Sequence, residues 1–126
     1  MVRRYYTPEL ANRSLPLVRV IANDVRATAV EMRETWSRLR SSRLEEPQKQ
    51  QLQARVQTLE ERFLELGKEL DQLGVELKDP FQGLLDFRAR RGDGEVYLCW
   101  RIGEERVGFW HDLEDGFRGR QPIETF

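Results

Sequence analysis

With 126 residues and a mass of 15.0 kDa, the chain is long enough for one domain core and not for two. Apolar residues make up 39% and charged residues 34%, the balance of long helices with narrow apolar stripes. The 21 basic and 22 acidic side chains leave a net charge of −1, without the basic excess of a general nucleic-acid binder, and no apolar run approaches the ~20 residues of a membrane span.

Cys99 is the single cysteine, so no intrachain disulfide forms. The first six residues lack the apolar core of a signal peptide, and together these points lead us to expect a cytoplasmic protein. Among the basic residues only Lys49, Lys68 and Lys78 are lysine, which reads as codon bias from a GC-rich genome.

In chain order, Thr7-Pro8-Glu9 predicts a helix start, with Thr as the cap and Pro in the first turn. This helix is expected to be short, because Pro16 interrupts it. Ser14 is expected to cap a second helix with Pro16 still in its first turn. A heptad repeat then runs along two columns, Leu15, Ala22, Ala29, Trp36 and Val18, Val25, Met32, Leu39. Pro47 restarts a helix whose seam is Leu52, Val56, Leu59, Phe63, Leu66, Leu70 and Leu73, with Gly74 at its left-handed cap. The short connection predicts an antiparallel hairpin over residues 7–74, coiled-coil-like along its seam. Leu17, Val20 and Ile21 widen the stripe at the base, so the base is expected to carry the rest of the molecule. The tip, with Arg38, Arg40, Arg43, Glu45 and Glu46, is expected to be solvated.

Residues 75–126 change period. Leu84–Phe87, Glu95–Ile102 and Arg106–Trp110 predict a three-stranded antiparallel meander, turned at Gly92-Asp93-Gly94 and Gly103-Glu104-Glu105. In the second strand Val96, Leu98, Trp100 and Ile102 point to one face, and Tyr97, Cys99 and Arg101 to the other. The tail from Gly116 to Phe126 is expected to be an ordered loop wrapping this sheet. The whole, residues 1–126, is expected to be a single α+β domain, a long hairpin packed on a small sheet.

Several stretches together resemble a bacterial family of unknown function, number twenty-two-oh-three among such domains. They are Tyr6–Asn12 with Leu15-Pro16, Gly74–Pro80, Gly83–Phe87, Val96–Arg101 with Gly103-Glu104, Phe109-Trp110-His111, and Gly116-Phe117 with Gly119–Ile123. Tyr6 stands where family members more often have Phe. The resemblance spans nearly the whole chain and implies this architecture. It implies no activity and no catalytic residues.

The densest polar group surrounds His111, the only histidine, at a strand end. His111 with Asp112 and Asp115, and with Glu76 or Asp86, can bind a divalent metal, although the spacing matches no standard motif. The alternative is a histidine that pairs with a carboxylate for structure. Arg101, Arg118 and Arg120 can bind an anion, with Gly116 and Gly119 allowing close backbone approach, or can pair with neighbouring carboxylates. Tyr97, Trp100, Phe109, Trp110 and Phe117 read as core rather than as a base-stacking surface. Residues 80–126 hold seven basic and nine acidic residues, a balance of −2 that disfavours nucleic acid there. Cys99 reads as a small buried hydrophobe. Neither glycine turn is followed by a helix, so neither is a phosphate loop.

Three functions follow as expectations. The first is a non-catalytic interaction or scaffold protein whose hairpins pair into a homodimer, with room for an unidentified protein partner. The second is a small-anion or metal-binding protein, enzymatic or not, using Glu76, Asp86, Arg101, His111, Arg118 and Arg120, with a ligand in the concavity between hairpin base and sheet. The third is an RNA- or ribosome-associated arm using Arg38, Arg40 and Arg43. No cofactor is implied strongly.

Overall fold

A computed structural model describes residues 4–41 and 43–126. The hairpin consists of α1 (Pro8–Leu39) and α2 (Glu46–Leu73), and a five-stranded sheet follows. Its strands are β1 (Val75–Asp79), β2 (Leu84–Arg91), β3 (Gly94–Arg101), β4 (Phe109–Asp112) and β5 (Gln121–Pro122). They lie in chain order and every neighbouring pair is antiparallel. The fold is thus α+β as expected, but with five strands instead of three. β1 leaves α2 directly through Gly74, which holds φ 73° as the left-handed cap, and β5 is formed by the tail.

The expected break at Pro16 does not occur: α1 is one helix. Thr7 caps it, its Oγ1 accepting from the Leu10 N–H at 3.2 Å. Pro16 sits on the exposed side, where losing one backbone bond costs on the order of 3 kcal/mol. Ala11, Leu15, Val18 and Val25 are buried on both sides of it and bind the two halves to one core. The buried stripe also departs from the heptads. Ile21, Thr28 and Thr35 are buried while Trp36 is half-exposed. A helix of 3.6 residues per turn drifts ~20° per heptad against a 3.5 repeat, so the stripe slides back by one residue towards the tip. In α2, Leu52, Val56, Leu59, Leu66 and Leu70 are buried as expected, and Phe63 and Leu73 pack partly buried against the core.

The core joins the hairpin base to one face of the sheet. Leu15, Val18, Ala22, Val25, Leu66 and Leu70 meet Val75, Leu85, Phe87, Leu98, Trp100 and Trp110. These residues fill the space where a ligand concavity was expected. Asn12 ties the layers together. Its Oδ1 accepts from the Val107 N–H at 2.8 Å, while its Nδ2 donates to the Val107 carbonyl at 3.3 Å and the Pro8 carbonyl at 2.9 Å. Arg38, Arg40, Arg43, Glu45 and Glu46 are exposed at the far tip, while Ser42 lies outside the described residues.

Candidate functional site

A sheet with one face on the hairpin has a second face to cover, and β3 is buried on both. Tyr97 and Cys99 are as inaccessible as Val96, Leu98 and Trp100. The two-residue turn at Gly92-Asp93 pairs Arg91 with Gly94 and so sets Asp86 opposite Cys99. The next ladder sets Tyr97 opposite His111 and Cys99 opposite Phe109. Asp86, Cys99 and His111 therefore arrive from three adjacent strands on the outer face, 3%, 0% and 2% exposed.

His111 Nδ1 lies 2.7 Å from the Asp112 carbonyl. A carbonyl only accepts, so Nδ1 carries the hydrogen. Nε2 faces the Asp86 carboxylate with both oxygens at 3.1 Å. Burial is the largest single influence on His111 and opposes its charge. The bonds to Asp86 and Asp112, with the charge of Asp86, together outweigh it and raise the pKa above the usual 6.5. Cys99 goes the other way: burial first, then the negative charge of Asp86, push its thiol far up, so it is protonated and not a nucleophile.

Two polar groups flank this trio. On one side, the Tyr97 hydroxyl donates to Glu76 Oε1 at 2.9 Å and accepts from Arg88 Nη2 at 2.7 Å. Lys78 Nζ lies 3.2 Å from Glu76 and 4.4 Å from the Tyr97 ring centre. Burial alone would raise the Glu76 pKa, but the Tyr97 hydroxyl, Lys78 and Arg88 bring it below 4.5. On the other side, Glu104 is pinned by the Arg101 N–H at 2.8 Å and forms an ion pair with Arg120. The Arg120 guanidinium lies 3.7 Å from the Phe109 ring centre and 4.5 Å from that of Phe117. Both charges of this pair act on the Cys99 thiol. The Arg120 side chain is 9% exposed, and its Nη1 is buried without a hydrogen-bond partner among the described residues.

The candidate residues are thus divided. Asp86 meets His111, and Glu76 sits opposite Asp86 in the ladder but bonds to Tyr97. Arg101 stacks 5.0 Å from Phe117, beside Arg120, while Arg118 is exposed. The Asp112 and Asp115 side chains are exposed, and Asp112 serves His111 through its carbonyl. Arg38, Arg40 and Arg43 are remote from the sheet, beside the negative end of α1. Cys99 and Tyr97 were not expected in this constellation, although alternation along β3 marks their face, whereas Glu104 is one of the neighbouring carboxylates expected to pair with Arg101, Arg118 and Arg120.

The stretches that carry the family resemblance, Gly83–Phe87, Val96–Arg101, Phe109–His111 and Gly119–Ile123, converge on this part of the sheet. A family model described as an uncharacterized conserved protein, DUF2203, matches residues 4–123. The chain belongs to the DUF2203 family. No curated protein and no solved structure matches it. The DUF2203 match carries no activity with it, so chemistry has to be argued from the residues.

A second surface lies on the hairpin base. Leu10, Leu17 and Val20 are 45%, 55% and 59% exposed along one side of α1. A groove of about 450 Å³ is lined by Tyr5, Tyr6, Leu10 and Arg13, and another of about 400 Å³ by Leu17, Val20, Asp24, Arg62, Glu69 and Leu73. No helix among the described residues is long and apolar enough to cross a membrane.

Proposed function

We propose that this DUF2203 protein is a non-catalytic scaffold that self-associates through the base of its hairpin, two copies pairing as a four-helix bundle. The observation that carries the reading is the apolar strip Leu10–Leu17–Val20, left uncovered by the rest of the fold. The strip follows α1 for roughly 15 Å at ~1.5 Å per residue. Its rim holds both signs of charge: Asp24 and Glu69 line the same groove as Arg62, which lies 3.6 Å from Asp24. A two-fold-related copy sets Arg62 of one chain against the acids of the other, as an isologous interface requires. The tips then project free for a protein partner, and a bacterial cytoplasm suits the lone reduced cysteine.

Sedimentation equilibrium and native mass spectrometry test this. The native chain is expected to be a dimer at tens of micromolar. Leu17→Glu with Val20→Glu is expected to give a folded monomer, because both side chains are exposed within one copy. A monomeric native protein, or a variant that still dimerises, refutes the proposal.

A second reading has one observation behind it: the unpartnered, buried Arg120 Nη1 supports binding of a small anion beside Glu104 and Arg101. A rise in melting temperature with phosphate, absent in Arg120→Gln, is the result it requires.

A further inference from the structure

Asp86, Cys99 and His111 offer one carboxylate oxygen, one sulfur and one imidazole nitrogen that all lie within 4.8 Å of one another, and all three residues are buried. Tethering Nδ1 to the Asp112 carbonyl directs Nε2 into this cluster. A carbonyl or carboxylate behind the other ring nitrogen is the usual outer support of a metal-ligating histidine. With Nδ1 as the donor, an unprotonated Nε2 would turn its lone pair onto a carboxylate at 3.1 Å. A positive charge therefore belongs between them, either a proton or a metal ion.

We propose that Asp86, Cys99 and His111 form a three-ligand site for a borderline-soft divalent ion, which this donor set assigns to Zn2+. Nitrogen, oxygen and thiolate sulfur together suit zinc rather than magnesium or calcium, which take oxygen. Charge supports the assignment. The filled site, with imidazole, carboxylate, thiolate and Zn2+, carries no net charge, which suits a buried cluster. Zinc bonds of ~2.0–2.3 Å require only a modest contraction of a cluster already this tight. The ladder pair Asp86–Cys99 holds two of the donors on rigid neighbouring strands.

The experiment uses the full chain stripped with a chelator and then titrated with Co2+ or Zn2+ alone. Co2+ is expected to give a thiolate charge-transfer band saturating at one ion per chain. Binding of either ion to the stripped chain is expected to release protons, and Zn2+ is then expected to displace Co2+ with loss of the band and no further release. Cys99→Ser is expected to abolish the band, and His111→Gln to weaken binding by more than the roughly 10–100-fold that losing an outer partner costs. Circular dichroism checks that the variants fold. If they do not, X-ray absorption on the zinc-loaded native chain decides: one sulfur at ~2.3 Å with lighter ligands supports the site. A folded native chain that gives no band, a band that survives Cys99→Ser, or a zinc shell without sulfur overturns it.

Discussion

Replacing Asp86 in the metal-free protein separates the hydrogen bonds of the buried cluster from its charge. Asp86→Ala removes the group that faces Nε2 through both oxygens and that also bonds the Cys99 thiol. Breaking a buried pair costs ~3–5 kcal/mol when a charge is stranded. His111 can release its proton, so the lower end, about 3 kcal/mol, is expected. At ~2.1 cal/mol/K per residue, a chain of 126 residues loses ~4 °C per kcal/mol, which makes the drop about 11 °C. Asp86→Asn is nearly isosteric, and its amide can donate to a neutral Nε2, so a loss of only ~1 kcal/mol is expected near neutral pH. The pH dependence carries the sign. His111 is raised above 6.5 in the folded native protein, so its stabilising contribution is complete below about 6.5 and fades as pH climbs through the folded value. The native protein should therefore exceed Asp86→Asn most in mild acid, with the gap closing in alkali. Urea and thermal denaturation from pH 5 to 9 in the presence of chelator measure all of this. Equal losses for Ala and Asn, or a gap that widens with pH, would refute the account of the pair.

Substitutions at three further positions test the packing. Asn12→Ala strands the buried Val107 N–H and should cost about 2 kcal/mol by urea denaturation, whereas Asn12→Asp keeps that acceptor and should cost less. Gly83 holds φ 61°, and a Cβ there would lie 2.2 Å from Ile102 Cδ1, so Gly83→Ala should lose at least the ~1–2 kcal/mol of a left-handed residue. Trp36→Ala should cost well under the ~3 kcal/mol of a core aromatic, since the stripe has slid to Thr35. A melting drop as large as that of Val25→Ala would restore Trp36 to the seam.

Legibility of the fold tracked the length of the repeating signal. The α2 seam holds seven apolar positions without a polar intruder, and its buried residues fall where the repeat puts them. α1 carries the same kind of repeat, but its small and polar residues Thr28 and Thr35 could not announce that the stripe would precess. Pro16 looked like a boundary because local propensity is all that a single residue displays. Packing on both sides of it outweighs that propensity. β1 follows α2 without a loop, so its short alternation of Val75 and Leu77 with Glu76 and Lys78 read as a linker, and β5, Gln121-Pro122, has no pattern to read because two residues cannot show a period.

The site divides along the same line. The Asp86–Cys99 pair was calculable: once Gly92-Asp93 is taken as a two-residue turn, counting five residues back from Arg91 and five forward from Gly94 brings them together. Their shared face follows from alternation with Leu85, Phe87, Leu98 and Trp100, all of which point to the core. The third member was not calculable. His111 reaches the cluster only after the irregular stretch between Ile102 and Gly108, whose course depends on the Asn12 clamp and the Arg19 bond to the Glu105 carbonyl at 2.9 Å, both long-range. A histidine's neighbours at 112 and 115 are the obvious sequence candidates for its partners, yet alternation along β4 puts the Asp112 side chain on the face opposite His111, and Asp115 lies past the end of β4 with its side chain exposed. In a small sheet covered on both faces, the residue opposite in the ladder, not the residue adjacent in the chain, decides which side chains share chemistry.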